Sequence, residues 1–176
     1  MRIIVLAAIL VLATGSAHAM QLSSPAFANG GRLALAQVNN RCGGSNQSPV
    51  LEWTGAPPGA HSYALTLFDP DAGGGRGFWH WLVFGIPASA TALPEGAGGG
   101  TGLPQGAMQV VNDFGEAAYG GACPPPGSGV HHYEFTLYAL DIATVPSGEL
   151  MKSGDLVAYL KAHALAAAQL VGIYSR

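Results

Sequence analysis

The sequence predicts a mainly β domain with a single helix near its C-terminal end. Two observations carry this. The 26 Gly and 12 Pro are scattered over all 176 residues without a triplet period, which excludes collagen and implies many turns between short segments. Apolar residues alternate with polar ones in several short runs, and only one late segment repeats at helical spacing. Charged residues make up 10% and AVILMFWYC residues 49%, so the chain is no disordered polyelectrolyte and has apolar surface for one core. A formal net charge of −3 leaves no basic footprint, so no nucleic-acid partner is expected.

In chain order, Arg2 precedes an apolar run from Ile3 to Leu12, and Ala17-His18-Ala19 fits a small-x-small cleavage pattern. The run is too short to span a bilayer, so residues 1–19 read as a secretory signal and residues 20–176 as the mature domain. A buried N-terminal helix or an uncleaved anchor is the alternative. No later run suggests a transmembrane segment, and the expected location is periplasmic or secreted. Expected strands are Arg32 to Val38, His61 to Phe68, Trp79 to Ile86, Met108 to Val111 and His131 to Leu140, each bounded by Gly, Pro, Asn or Asp. Pro94 to Gly106 reads as a Gly-rich surface loop, without the G-x-x-x-x-G-K pattern of a phosphate cradle. From Ser153 to Val171, Ser153 can cap, and Leu156, Leu160, Ala164, Ala167 and Val171 recur at helical spacing.

Export gives the two cysteines meaning. In an oxidising compartment Cys42 and Cys123 can pair, and both sit in Gly-rich or Pro-rich turns. Two separate buried thiols are the alternative. A zinc site from them is not expected, because neither has a Cys or His at C-x-x-C spacing.

Three strands carry polar groups at one end. Tyr63, Leu65, Leu67 and Asp69 share one face by the two-residue period; so do His80, Leu82, Phe84 and Ile86, and so do His131, Tyr133, Phe135, Leu137 and Ala139. The turn-rich stretch Pro70 to Gly77 can join the first two as an antiparallel hairpin, placing Asp69 near His80. If the His131 strand runs parallel to the His80 strand, the result is a shallow pocket lined by Asp69, His80, His131 and Tyr133. His61 and His163 read as surface residues, and His132 should face away from His131. Arg76 is a loop cation beside the pocket, either solvated or helping to hold an anion.

Read together, Phe68-Asp69-Pro70-Asp71-Ala72, Phe78-Trp79-His80-Trp81-Leu82-Val83, Asn112-Asp113-Phe114-Gly115, and Tyr119 to Gly127 followed by His131-His132-Tyr133 resemble the phosphatidylethanolamine-binding protein family, in particular its bacterial Raf kinase inhibitor-like branch. The resemblance runs from Ser24-Pro25-Ala26-Phe27 to the C-terminus. It implies a Greek-key β-sandwich with a C-terminal α-helix and a few short helical turns. It also implies a small pocket for phosphate or a phospholipid head group such as phosphoethanolamine, in a binding protein that needs no cofactor and serves as an inhibitor or signalling module. Asp69, His80, His131 and Tyr133 match the family's pocket positions, and Cys123, Pro124 and Pro125 its backbone rim. Two positions depart from the family pattern: Gly73 replaces a proline, and His132 replaces an arginine.

Imidazole N–H groups and the Tyr133 hydroxyl suit a phosphate monoester, and a protonated histidine would add charge assistance. Affinity is therefore expected to fall as pH rises from about 5.5 to 8. Three rival readings stay open. One is a hydrolase with His80 as general base and Asp69 as its orienting carboxylate, although no G-x-S-x-G nucleophile elbow is present. Another is a metal site built from His80, His131 and Asp69. The last is a protein-binding module with an exported target, by likeness to family members that inhibit kinases or serine proteases.

Overall fold

The computed structural model of the protein describes residues 19–146 and 152–176. The expected secretory signal lies outside the described residues except for Ala19. Among the described residues nine strands form two sheets. Strands β1 (Gln21–Ser23), β3 (Leu51–Thr54) and β6 (Ala92–Leu93) make a small sheet in the order β1-β3-β6. The large sheet has the order β2-β9-β8-β4-β5-β7, with β2 (Gly31–Arg32), β4 (Ser62–Asp69), β5 (Phe78–Pro87), β7 (Met108–Gln109), β8 (His131–Leu140) and β9 (Ala164–Tyr174). Within it β4, β5 and β7 are successive antiparallel neighbours, and β8 returns to lie antiparallel beside β4. That return beside the first of three strands is the Greek-key pattern.

The facing sheets bury Leu22, Leu51, Trp53 and Leu93 against Leu65, Leu67, Trp81, Val83, Phe135 and Leu137. A second apolar layer covers the outer face of the large sheet. There Leu156, Val157 and Leu160 of helix α1 (Ser153–Ala162) pack on Leu82, Phe84, Tyr138 and Leu140. The described residues also include three short 3-10 turns, at Leu35–Gln37, Asn40–Cys42 and Ala97–Gly99.

Several local expectations need correction. The helix expected to reach Val171 stops at Ala162, and Ala164–Tyr174 is an eleven-residue strand between β8 and β2. Its Ala168, Leu170 and Tyr174 are buried at period two. An alanine-rich run satisfies both periods, and pairing with β8 outweighs alanine's helix propensity. Ser153 does not cap α1; Lys152 holds the N-cap position without a side-chain bond. The strand expected over Arg32 to Val38 is reduced to Gly31–Arg32 followed by a 3-10 turn. Pro94 to Gly106 is not wholly superficial, because Ala97 and Gly98 are buried and the Gly98 amide donates to Ser48 Oγ.

The expected face of β5 is also revised. Leu67 pairs with Trp81 while Phe68 pairs with Trp79, so His80 is an extra residue in a bulge. Another irregularity falls near Gly85, whose φ is +70°. The two bulges put His80 and Ile86 on the side of Trp81 and Val83, whereas Leu82 and Phe84 face α1.

Candidate functional site

The β4–β5 hairpin closes as expected, with Asp69 opposite Phe78. Because β5 and β8 both run antiparallel to β4, they are parallel to each other, and the polar ends of all three strands meet. They open on a cavity of about 360 Å³, lined among others by Asp69, His80, Cys123, Pro124, Pro125, His131 and Tyr133. All seven residues singled out from the sequence therefore border one space. Asp69, His80 and His131 are 2, 3 and 4% exposed.

Asp69 is the hub. Its Oδ1 accepts the Asp71 amide at 2.9 Å, and its Oδ2 accepts His131 Nδ1–H at 2.7 Å. His80 Nε2 lies 4.0 Å from the same Oδ2, beyond hydrogen-bond reach. His80 Nδ1–H donates to the Gly120 carbonyl at 2.8 Å, which assigns the tautomer, since a carbonyl can only accept. The unprotonated Nε2 of the neutral ring therefore faces Asp69. Burial drives the His80 pKa below its ordinary 6.5, against the opposing pull of the Gly120 carbonyl and the Asp69 carboxylate. The rings that desolvate it are Phe78, Phe114 and Tyr133, at centroid distances of 5.1, 5.3 and 5.2 Å.

Tyr133 is fully buried, and its hydroxyl proton has no acceptor among the described residues. Burial and the Asp69 carboxylate both push its ionisation up, although the Cys123 backbone amide works the other way, so the group remains a proton donor. An unpartnered buried hydroxyl costs about 1–3 kcal/mol. Asp71 also borders the cavity. Burial alone would raise its pKa, but the side chain and amide of His132, each 2.8 Å from Oδ2, outweigh that and keep it ionised.

Two tethered loops complete the walls. Asn112 Nδ2 donates to the His80 and Ala118 carbonyls, while its Oδ1 accepts the Phe114 and Glu116 amides. Asp113 Oδ2 accepts the Trp79 amide at 2.7 Å. These bonds pin the Asn112–Gly115 turn to β5 and hold the Phe114 ring 4.7 Å from that of Phe78. The rim segment is held by a disulfide between Cys42 and Cys123, by the pairing of Val38 with Ala122, and by Arg176 Nε donating to the Pro124 carbonyl at 2.9 Å. In the structure the two thiols form this bridge and neither is free.

Arg76 does not border the cavity; its Nε donates to Gly73 of its own loop. His61 is exposed, and His163 pairs with Asp141. His132 is exposed on the face opposite His131, as alternation requires. Asp69 Oδ2 engages Nδ1 of His131 and the Gly120 carbonyl engages Nδ1 of His80, while Ser128 Oγ lies 3.0 Å from His131 Nε2. Sequence reading missed Phe78, Phe114 and Ser128 as lining residues. Phe78 had a signal, since it precedes His80 by two positions on the same strand.

The sequence profile described as "PBP: Phosphatidylethanolamine-binding protein" matches residues 23–175. The chain belongs to the phosphatidylethanolamine-binding protein family. It is 43% identical to the UPF0098 protein YbcL of Escherichia coli over 99% of this chain and 98% of that one. The crystal structure of E. coli YbcL superposes with a TM-score of 0.86 at 41% identity, covering 90% of this chain and 99% of the other. The structure of the homolog CT736 from Chlamydia trachomatis gives 0.76 at 30% identity, covering 90% and 98%. A further relative, LppC of Mycobacterium tuberculosis, named as a lipoprotein, is 40% identical over 73% of this chain and 59% of its own length. The family's β-sandwich is the fold described above. Among the described residues no helix is long and apolar enough to cross a membrane.

Proposed function

We propose that this family member is an exported binding protein whose cavity takes phosphate or a phosphorylated head group such as phosphoethanolamine. The observation that carries the reading is the Tyr133 hydroxyl: buried, protonated and unpartnered at the cavity wall, it lacks an acceptor that an oxyanion would supply. His80 Nε2 offers the second contact. A phosphate monoanion can pass its proton to that nitrogen, and the imidazolium then donates to the anion and faces Asp69. Asp69 repels the ligand less than its charge suggests, because the Asp71 amide and His131 already occupy its oxygens. The ionised Asp71 and the Phe78 and Phe114 rings suit the ammonium of phosphoethanolamine. Export is supported by the signal-like N-terminus, by the disulfide and by the lipoprotein name of LppC.

Proton uptake at His80 sets the sign of the pH dependence. The anion raises the His80 pKa from its depressed value, so affinity increases as pH falls and declines as pH rises. Calorimetric titration with phosphoethanolamine and with inorganic phosphate at pH 5.5 and 8 tests this. Tighter binding at pH 5.5, weakened about tenfold by Tyr133→Phe, is expected from one hydrogen bond to a charged group. Equal affinity for both ligands would assign recognition to the phosphate alone. Identical affinity at the two pH values, or no heat at millimolar ligand, removes the reading.

A further inference from the structure

The turn before β8 carries a residue with no place in the binding reading. Ser128 Oγ lies 3.0 Å from His131 Nε2, and His131 Nδ1 lies 2.7 Å from Asp69 Oδ2. A hydroxyl on one imidazole nitrogen and a buried carboxylate on the other is the relay that activates a serine, and it is recognised by geometry whatever the chain order. The three side chains come from β4, from the start of β8 and from the loop ahead of it, and all border the cavity.

Asp69 fixes the His131 proton on Nδ1, so in the neutral ring Nε2 carries a lone pair. Ser128 has one hydroxyl proton and two acceptors, the Pro125 carbonyl at 2.8 Å and His131 Nε2 at 3.0 Å. Rotating the hydroxyl from the carbonyl to Nε2 creates the nucleophile–base pair without moving any backbone. Ser128 is exposed, whereas His131 and Asp69 are buried beneath it, so the attacking oxygen is accessible and its base is shielded.

We propose that Ser128 is a nucleophile that accepts an acyl group from small carboxylic esters entering this cavity, with His131 as general base and Asp69 as its orienting carboxylate. Ser128 Oγ bonds to the ester carbonyl carbon as its proton passes to His131 Nε2. The tetrahedral oxyanion takes a hydrogen bond from the unpartnered Tyr133 hydroxyl. The carbon–oxygen bond to the alcohol then breaks, and the alkoxide leaves with the proton from His131. Water, deprotonated by His131, releases the carboxylic acid and restores Ser128. The general base is thus His131, whereas the sequence alone pointed to His80, whose Nδ1 is committed to Gly120. The proposal rests on the same cavity being the ligand site, but not on phosphate being the ligand.

The test uses the mature chain with a fluorophosphonate probe, which forms an Oγ–phosphorus bond and expels fluoride. Peptide mapping should find one adduct, on Ser128, formed at least tenfold faster than in Asp69→Asn. Hydrolysis of p-nitrophenyl acetate should fall at least tenfold in Ser128→Ala, a surface substitution that leaves the fold intact. An adduct only at other residues, or equal ester turnover in wild type and Ser128→Ala, overturns the proposal. Phosphate titrated into Ser128→Ala reads the binding proposal separately, since that variant keeps Tyr133 and His80.

Discussion

His80 is neutral because its surroundings are apolar, and that has a consequence for the stability of the whole chain. In the unfolded chain the imidazole titrates near 6.5; in the fold its pKa is lower, chiefly through burial. Between those two values the unfolded state binds more protons, so stability rises with pH there. The contribution is therefore complete above about 6.5 and is lost as pH falls toward the folded-state pKa, at up to ~1.4 kcal/mol per pH unit. Denaturant melts between pH 7.5 and 5 should show this loss, and His80→Gln should show a shallower one, since its side chain has no proton to gain. Equal slopes for the two proteins would mean that other groups cause the acid sensitivity. Added phosphate should offset the loss, because an anion in the cavity stabilises the charged ring. Asp69, His80, His131 and Tyr133 were legible as a candidate site because Asp69 ends β4, His131 begins β8, and His80 and Tyr133 are the third residues of β5 and β8, so polar groups gather at one end of apolar strand faces. Ser128 was not. It lies in a Gly-Ser-Gly turn with no periodicity, and only the three-residue step back from His131 brings it onto the imidazole.

The element that aims His80 is β5, and its two irregularities were invisible to a strict two-residue alternation. One extra residue at His80 turns the side chain toward Asp69 while Trp81 stays in the core. The second irregularity depends on Gly85, whose φ of +70° suits glycine and whose added Cβ would lie 2.8 Å from the Gly106 carbonyl oxygen. Gly85→Ala is expected to cost ~1–3 kcal/mol from backbone strain alone, read as a lower midpoint in urea. A variant as stable as wild type would show that the strand can repair the bulge and that the Phe84–Ile86 step is not fixed by this residue. The same physics explains the other misreadings at this scale. Hairpin β4–β5 and strand β8 were readable because turn residues and β-branched or aromatic residues agree. In Ala164–Tyr174 local propensity points to helix, and only pairing along β8, a long-range contact, decides for strand.

At the scale of the whole molecule, the disulfide joins the turn after Asn39 to the cavity rim and closes 81 positions of chain. That loop contains β3 to β7, so the bridge restricts most of the Greek key in the unfolded state. The chain-entropy account puts the effect at about 4 kcal/mol, and measured cases run from about 2 to 5. Reduction, or Cys42→Ser with Cys123→Ser, should lower unfolding stability by roughly that amount in denaturant titrations. The cavity itself should survive. Its rim is also held by Ala122 bonded across Gln37 and Asn39, by Arg176 on Pro124, and by the Gly127 amide on the Arg176 carbonyl. Phosphate affinity in the double Ser variant should therefore stay close to wild type in the temperature range where the variant is folded. Loss of affinity without unfolding would mean that the bridge positions the rim directly. Unchanged stability on reduction would mean that the unfolded chain is already compact enough for the cross-link to restrict nothing.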